Sequence, residues 1–358
     1  MNSRAIFGVA GRAMAFLPLR VYERLMPRNV VGFCYHIVAS RPRPHVHHLF
    51  RCKTPPQFER DLAFLRRRYT LVSYEQLRTR KLRPGALPDA VLTFDDGYAE
   101  CHTTIRPLLK RYGVPAIFFV TTGFLDNRRL FYRNAVSLCI DAAQRFEGSA
   151  ANAVLRDLEP AFGTRLPGVR DLVARLRALT LADEAMLRAT CQRLWVDPEA
   201  YLKVATPYLT STQVVELATD GFTIGAHGRD HSRMALLTPE TAEREIVDSC
   251  LAITKLVGAS EAPFAFPFSG RGVSRAMLRA LRARHSQVGL FFDSEQMARD
   301  EDFIVNRIMV DIPPPLGYRR TNLPNHLRAA YCREMLRSSR GASTGNAASE
   351  AETALAPS

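Results

Sequence analysis

Short runs of consecutive apolar residues recur in the outer parts of the chain: Val30 to Tyr35, Ala90 to Phe94, Ala116 to Val120, Phe222 to Ala226, Phe264 to Phe268, Val288 to Phe292 and Phe303 to Val310. They are rich in β-branched and aromatic residues, and turn formers bound many of them, so they predict strands. Their continuity, in place of in-out alternation, predicts parallel strands covered on both faces. Between them, apolar residues fall at helix spacing over Pro56 to Arg68, Cys101 to Tyr112, Thr238 to Val257 and Met277 to Arg284. Strands alternating with helices predict an α/β fold with a parallel sheet, either closed into a barrel or doubly wound.

The middle breaks this rhythm. From about Asp126 to Leu209 the pattern is helical with no convincing strand, which predicts a helical insertion over about 126–210. The predicted division is an N-terminal amphipathic helix over 1–29, one catalytic-type domain over 30–336 and a disordered tail over 337–358. The tail is small, polar and aperiodic.

A chain of 358 residues accommodates one large barrel with an insertion, or about two domains of roughly 150 residues each. The formal net charge of +14 favours anionic partners. The charges are scattered, and aromatic residues do not alternate with them, so nucleic acid is not an expected partner. Seven cysteines with no CxxC pair argue against a disulfide framework and a cysteine zinc site, and for a reducing, cytoplasmic setting. The basic, apolar segment from Met1 to Leu19 is expected to be a helix packed on the fold. Resting at the inner face of a membrane is the alternative.

The strongest local chemistry is Val91-Leu-Thr-Phe-Asp-Asp-Gly-Tyr-Ala-Glu100. A buried strand ends in two adjacent carboxylates, Asp95 and Asp96. They repel each other and are costly to desolvate unless one binds a metal and the other stands by as a base. A second strand, Phe222 to Ala226, ends in His227, with His231 four positions on. Together with the Asp pair these define a two-histidine, one-carboxylate set that leaves coordination positions open. A third strand ends in Tyr35-His36, one more histidine able to face the same mouth. The run Phe264-Ala-Phe-Pro-Phe268 ends in an aromatic and proline corner, and Arg307 sits within the last apolar run, where burial demands a carboxylate partner. His45, His47 and His48 cluster in a Pro- and Arg-rich stretch that reads as a solvated loop.

Thr93 to Gly97 and His227-x-x-x-His231 resemble the first two motifs of the NodB-homology polysaccharide deacetylases, carbohydrate esterase family 4. The resemblance spans about Val30 to Val310, the insertion aside. It implies a distorted (β/α)7 barrel, a divalent metal on Asp96, His227 and His231 (zinc first; cobalt, nickel or manganese also suit the set), and Asp95 as general base. It also implies a third motif at Phe264 to Phe268, where a backbone N–H near Phe268 helps hold the oxyanion, and the expected substrate contacts are Pro267, Phe268 and Arg307. The sequence departs from the family pattern in three places. Gly228 follows the first histidine where Ser or Thr is usual, Glu261 and Ala262 stand where Arg often opens the third motif, and the late Leu-x-His that supplies the acid is absent. Tyr35-His36 resembles the permuted arrangement in which the acid histidine lies near the N-terminus, which assigns that role to His36.

The expected activity is removal of an N-acetyl group from an N-acetylhexosamine-containing glycan. The alternatives are a metal-dependent amidohydrolase acting on a non-sugar amide, and a non-catalytic glycan-binding relative. Retention of Asp95 beside all three ligands speaks against the last, since a pure binder has no use for a base.

Overall fold

The computed structural model describes residues 17–79, 87–312 and 322–337. Eight strands form: β1 Val30–Tyr35, β2 Thr70–Leu71, β3 Asp89–Phe94, β4 Ile117–Val120, β5 Thr223–Ala226, β6 Ala262–Ala265, β7 Val288–Asp293 and β8 Ile304–Met309. All ladders are parallel, and the order β1-β8-β7-β6-β5-β4-β3 closes by pairing β3 back to β1. The result is a seven-stranded α/β barrel, with β2 attached to the start of β3. Two-residue β2 is too short to leave a pattern in the sequence. A helix over 323–337 was not among the expected elements, although Leu323, Leu327, Ala330 and Tyr331 fall at helix spacing. Among the described residues no helix is long and apolar enough to cross a membrane.

Helices return the chain outside the barrel, among them α1 Leu19–Leu25, α2 Pro55–Arg68, α3 Tyr74–Arg78, α4 Arg106–Tyr112, and later α11 Pro239–Val257 and α12 Arg275–Arg284. Two expected elements shift. The helix expected from Cys101 opens as a π turn, Cys101–Ile105, because Pro107 has no N–H to give Thr103. The strand expected over Phe264 to Phe268 instead covers Ala262–Ala265. Pro267 cannot donate to a ladder and Phe268 takes a left-handed φ of 62°. Most of the expected 1–29 helix, and the expected tail beyond 337, lie outside the described residues.

Between β4 and β5 the chain runs through six helices: α5 Tyr132–Ala143, α6 Gly148–Phe162, α7 Val169–Ala178, α8 Glu184–Arg193, α9 Pro198–Ala205 and α10 Ser211–Thr219. Helices α5 to α8 share an apolar core of their own around Ile140, Leu158, Leu172 and Leu176.

The barrel interior is small. Val91, Ile117, Phe119, Ala265 and Phe292 pack there, and the Arg307 guanidinium lies 5.2 Å from the Phe119 ring centroid and 5.9 Å from that of Phe292. A β-carbon on Gly32 would sit 2.6 Å from Arg307 Cγ and 2.8 Å from the Asn306 carbonyl oxygen. Gly32 therefore makes the room that Arg307 occupies. Gly32→Ala should destabilise the protein by about 1–3 kcal/mol through overpacking, measured by urea unfolding. A stability equal to that of the parent would show that Arg307 moves aside without cost.

Candidate active site

Four strand ends meet at the carboxyl-terminal mouth of the barrel, where function collects in parallel α/β barrels. His36 follows β1, Asp95 and Asp96 follow β3, His227 follows β5, and Asp311 lies two residues beyond β8. All are at least 95% buried.

Asp96, His227 and His231 converge, with one ligand-capable atom from each within 4.8 Å of the others. Asp96 Oδ1 lies 3.1 Å from His231 Nε2 and 3.4 Å from His227 Nε2. The His227 Nδ1–H donates to the Ala265 carbonyl at 2.8 Å, so its Nε2 presents a lone pair to the cluster. A carbonyl behind a ligating imidazole is the usual way to orient one. Asp96 Oδ1 is buried and makes no well-aligned hydrogen bond, which fits an oxygen that would serve as a metal ligand. Burial alone would raise the Asp96 carboxyl, but His231 and His227 outweigh it and hold it well below the usual range. Burial lowers the His231 imidazole, which favours the neutral, ligating form.

Asp95 points to another partner. Arg307 donates to it twice, Nη1 to Oδ1 at 2.7 Å and Nη2 to Oδ2 at 2.8 Å. The same guanidinium also donates to Thr93 Oγ1 at 2.9 Å and to the Asp293 carbonyl at 3.4 Å. Burial alone would raise Asp95, yet Arg307 holds it below its ordinary value. Cys34 Sγ lies 3.3 Å from Asp95 Oδ2 and donates to it. Arg307, expected among the substrate contacts, is therefore directed at Asp95 from beneath. It is 1% exposed, and its guanidinium donates to protein acceptors from all three nitrogens.

His36 has the opposite partner. Its Nδ1–H donates to Asp311 Oδ2 at 2.9 Å, and its backbone N–H donates to the same oxygen at 2.7 Å. Burial alone would lower the imidazole, but the Asp311 carboxylate raises it to about 9. The His36 ring stacks on Phe50 at 4.0 Å.

Aromatic rings wall the mouth. Phe131 lies 4.4 Å and Phe268 4.9 Å from the His231 ring. Pro267 approaches Gly228, whose added β-carbon would lie 3.7 Å from Pro267 Cγ. Sequence reasoning did not find the polar net joining the insertion to this wall. Asn134 on α5 donates to the Tyr98 hydroxyl at 3.0 Å, the Tyr208 hydroxyl donates to Asn134, and the Phe131 N–H donates to Tyr208 at 3.0 Å. It also missed Asp311, a lone carboxylate just past an apolar strand, which is the same signal that marked Asp95. His45, expected in a solvated loop, is buried, with Nδ1 2.8 Å from the Tyr201 hydroxyl.

Residues 84–156 and 177–289, just over half of the chain, match the family model for polysaccharide deacetylases. The chain belongs to the polysaccharide deacetylase family. It is a carbohydrate deacetylase, and the matched stretches hold Asp95, Asp96, His227 and His231, while His36, Arg307 and Asp311 lie outside them. No curated protein matches the deacetylase in sequence. Among solved structures it resembles a de-N-acetylase from Aggregatibacter actinomycetemcomitans, at 16% identity and a TM-score of 0.50, covering 83% of this chain and 99% of that one. It is also similar to the deacetylase PplD of Streptococcus pyogenes in complex with acetate (15% identity, TM-score 0.49, 81% and 96% covered) and to IcaB from Ammonifex degensii (17%, 0.49, 86% and 98%).

Removing the cation of a buried pair strands the anion, at a cost of about 3–5 kcal/mol. Arg307→Met in the deacetylase should lose that much in urea unfolding, and adding Asp95→Asn should recover part of it. A loss below about 1 kcal/mol, the size expected of an exposed pair, would contradict the burial described.

Proposed function

We propose that the deacetylase hydrolyses the N-acetyl group of an N-acetylhexosamine unit in a glycan, whether polysaccharide, oligosaccharide or lipid-linked sugar. A divalent cation, zinc first, would be held by Asp96, His227 and His231. The observation that carries this reading is the pair of proton-handling groups beside that triad, Asp95 kept ionised by Arg307 and His36 kept protonated by Asp311.

When bound, the cation supplies Lewis-acid polarisation of the amide carbonyl and acidification of water. Asp95 is an acceptor at neutral pH, because Arg307 opposes its protonation, and it takes a proton from the attacking water. Arg307 is a positioning residue, since its two parallel N–H groups fix the plane of the Asp95 carboxylate. As oxygen charge develops, a backbone N–H at the Pro267–Phe268 corner is the proposed donor to it. His36 Nε2, the ring nitrogen not engaged by Asp311, gives its proton to the departing sugar nitrogen. Phe131, Phe50 and Phe268 restrict water around these groups.

Acetate release from N-acetylglucosamine oligomers should occur with metal and stop with a chelator. Turnover of small cyclic amides in the absence of any glycan turnover would sink the reading. His36→Ala should lose about 10²–10⁴-fold in kcat while metal content by atomic emission stays at one ion per chain. An unchanged kcat would place the acid elsewhere.

The Asp311 carboxylate raises His36, so the acid form persists to higher pH than in a free imidazole. Asp311→Asn should therefore move the alkaline limb of the kcat/KM profile to lower pH. A limb that stays in place would show that His36 does not set it.

A further inference from the structure

A groove of about 870 Å³ runs between the helical insertion and the barrel mouth, within the range of small-molecule sites. Phe131 belongs both to its wall and to the active site, where it lies 4.4 Å from the His231 ring. The same groove is lined by Trp195, the chain's one tryptophan. Trp195 is 86% exposed. It follows the C-cap of α8 on left-handed backbone, φ 56°, and its N–H donates to the Gln192 carbonyl at 3.3 Å in a Schellman-type helix stop. Its neighbours are pinned: Leu194 is buried, and the Val196 N–H donates to the Cys191 carbonyl at 2.9 Å. An indole held out on an anchored helix end, 86% exposed, contributes little to the core.

The rest of the lining narrows what would lie there. Arg188, Gln192 and Glu184 put donors and acceptors of both signs along the groove. A lipid chain would meet charged groups it cannot satisfy. A polyanion would meet Glu184 and Asp197. A sugar ring offers an apolar C–H face for the indole and hydroxyls that both donate and accept for the polar side chains.

We propose that this groove is a subsite for further sugar residues of the glycan, with Trp195 as its stacking platform. The proposal rests on the glycan reading above and adds that the insertion selects for chain length. Two readouts test it, using β-1,4- and β-1,6-linked N-acetylglucosamine dimers and hexamers as probes. Trp195 is its own reporter, so the emission of chelator-treated protein should shift when the hexamer is added. In the metal-loaded enzyme, kcat/KM should rise from dimer to hexamer. Trp195→Ala should raise KM for the hexamer about three- to tenfold, leaving its kcat and the dimer kinetics unchanged. Release from both lengths, with Trp195→Ala affecting neither or both equally, overturns the subsite and spares the glycan reading. An unmoved emission, with no release from either length, overturns both.

Discussion

A guanidinium inside a seven-stranded barrel needs a carboxylate, and the Arg307–Asp95 pair is the constraint on which the site is built. A buried cation without a partner is too costly to keep, so Asp95 is held where two parallel hydrogen bonds at 2.7 and 2.8 Å can form. Space is made for this by Gly32, and the flanks of the guanidinium rest on Phe119 and Phe292. The barrel interior is therefore a column with an aromatic base, a cation above it and a carboxylate at the mouth. This column fixes both the position and the ionisation of Asp95.

The same constraint resolves the clash between adjacent carboxylates. Asp95 and Asp96 are neighbours in the chain, and two like charges so close would normally force one to take a proton. Asp96 adopts a left-handed φ of 69°. It faces His227 and His231, while Asp95 faces Arg307. Each carboxylate then has its own set of partners. His231 and Phe268 also have positive φ, 55° and 62°. Three of the eight non-glycine residues with positive φ among the described residues thus border the cluster, where surrounding packing can hold them.

Much of the barrel was legible because buried parallel strands are local signals. Seven apolar runs mark seven strands, and the residues after them mark the mouth. What failed was either too short or too long in range. Two-residue β2 has no period to detect. The corner at Pro267 bends away because of a missing N–H, which a count of apolar residues does not register. Arg307 invited a carboxylate partner from sequence, but Asp95 lies 212 positions away, and nothing local names it. Asn134 reads as an ordinary helical polar residue until Tyr98 and Tyr208 are brought to it.

The proposed acid and the proposed base share a dependence on β8. Arg307, which keeps Asp95 unprotonated, lies within that strand, and Asp311, which keeps His36 protonated, follows two residues after it. One strand thus supplies both counter-charges, of opposite sign and four positions apart. β8 pairs with β1 at Gly32 opposite Arg307 and Cys34 opposite Met309, and β1 leads directly to His36. A one-residue slip in this register would turn the Arg307 side chain out of the barrel and move Asp311 away from His36 at the same time. The β1–β8 seam, which lies outside the stretches matched by the family model, therefore sets the surroundings of both Asp95 and His36, the proposed base and acid beside the triad at β3 and β5.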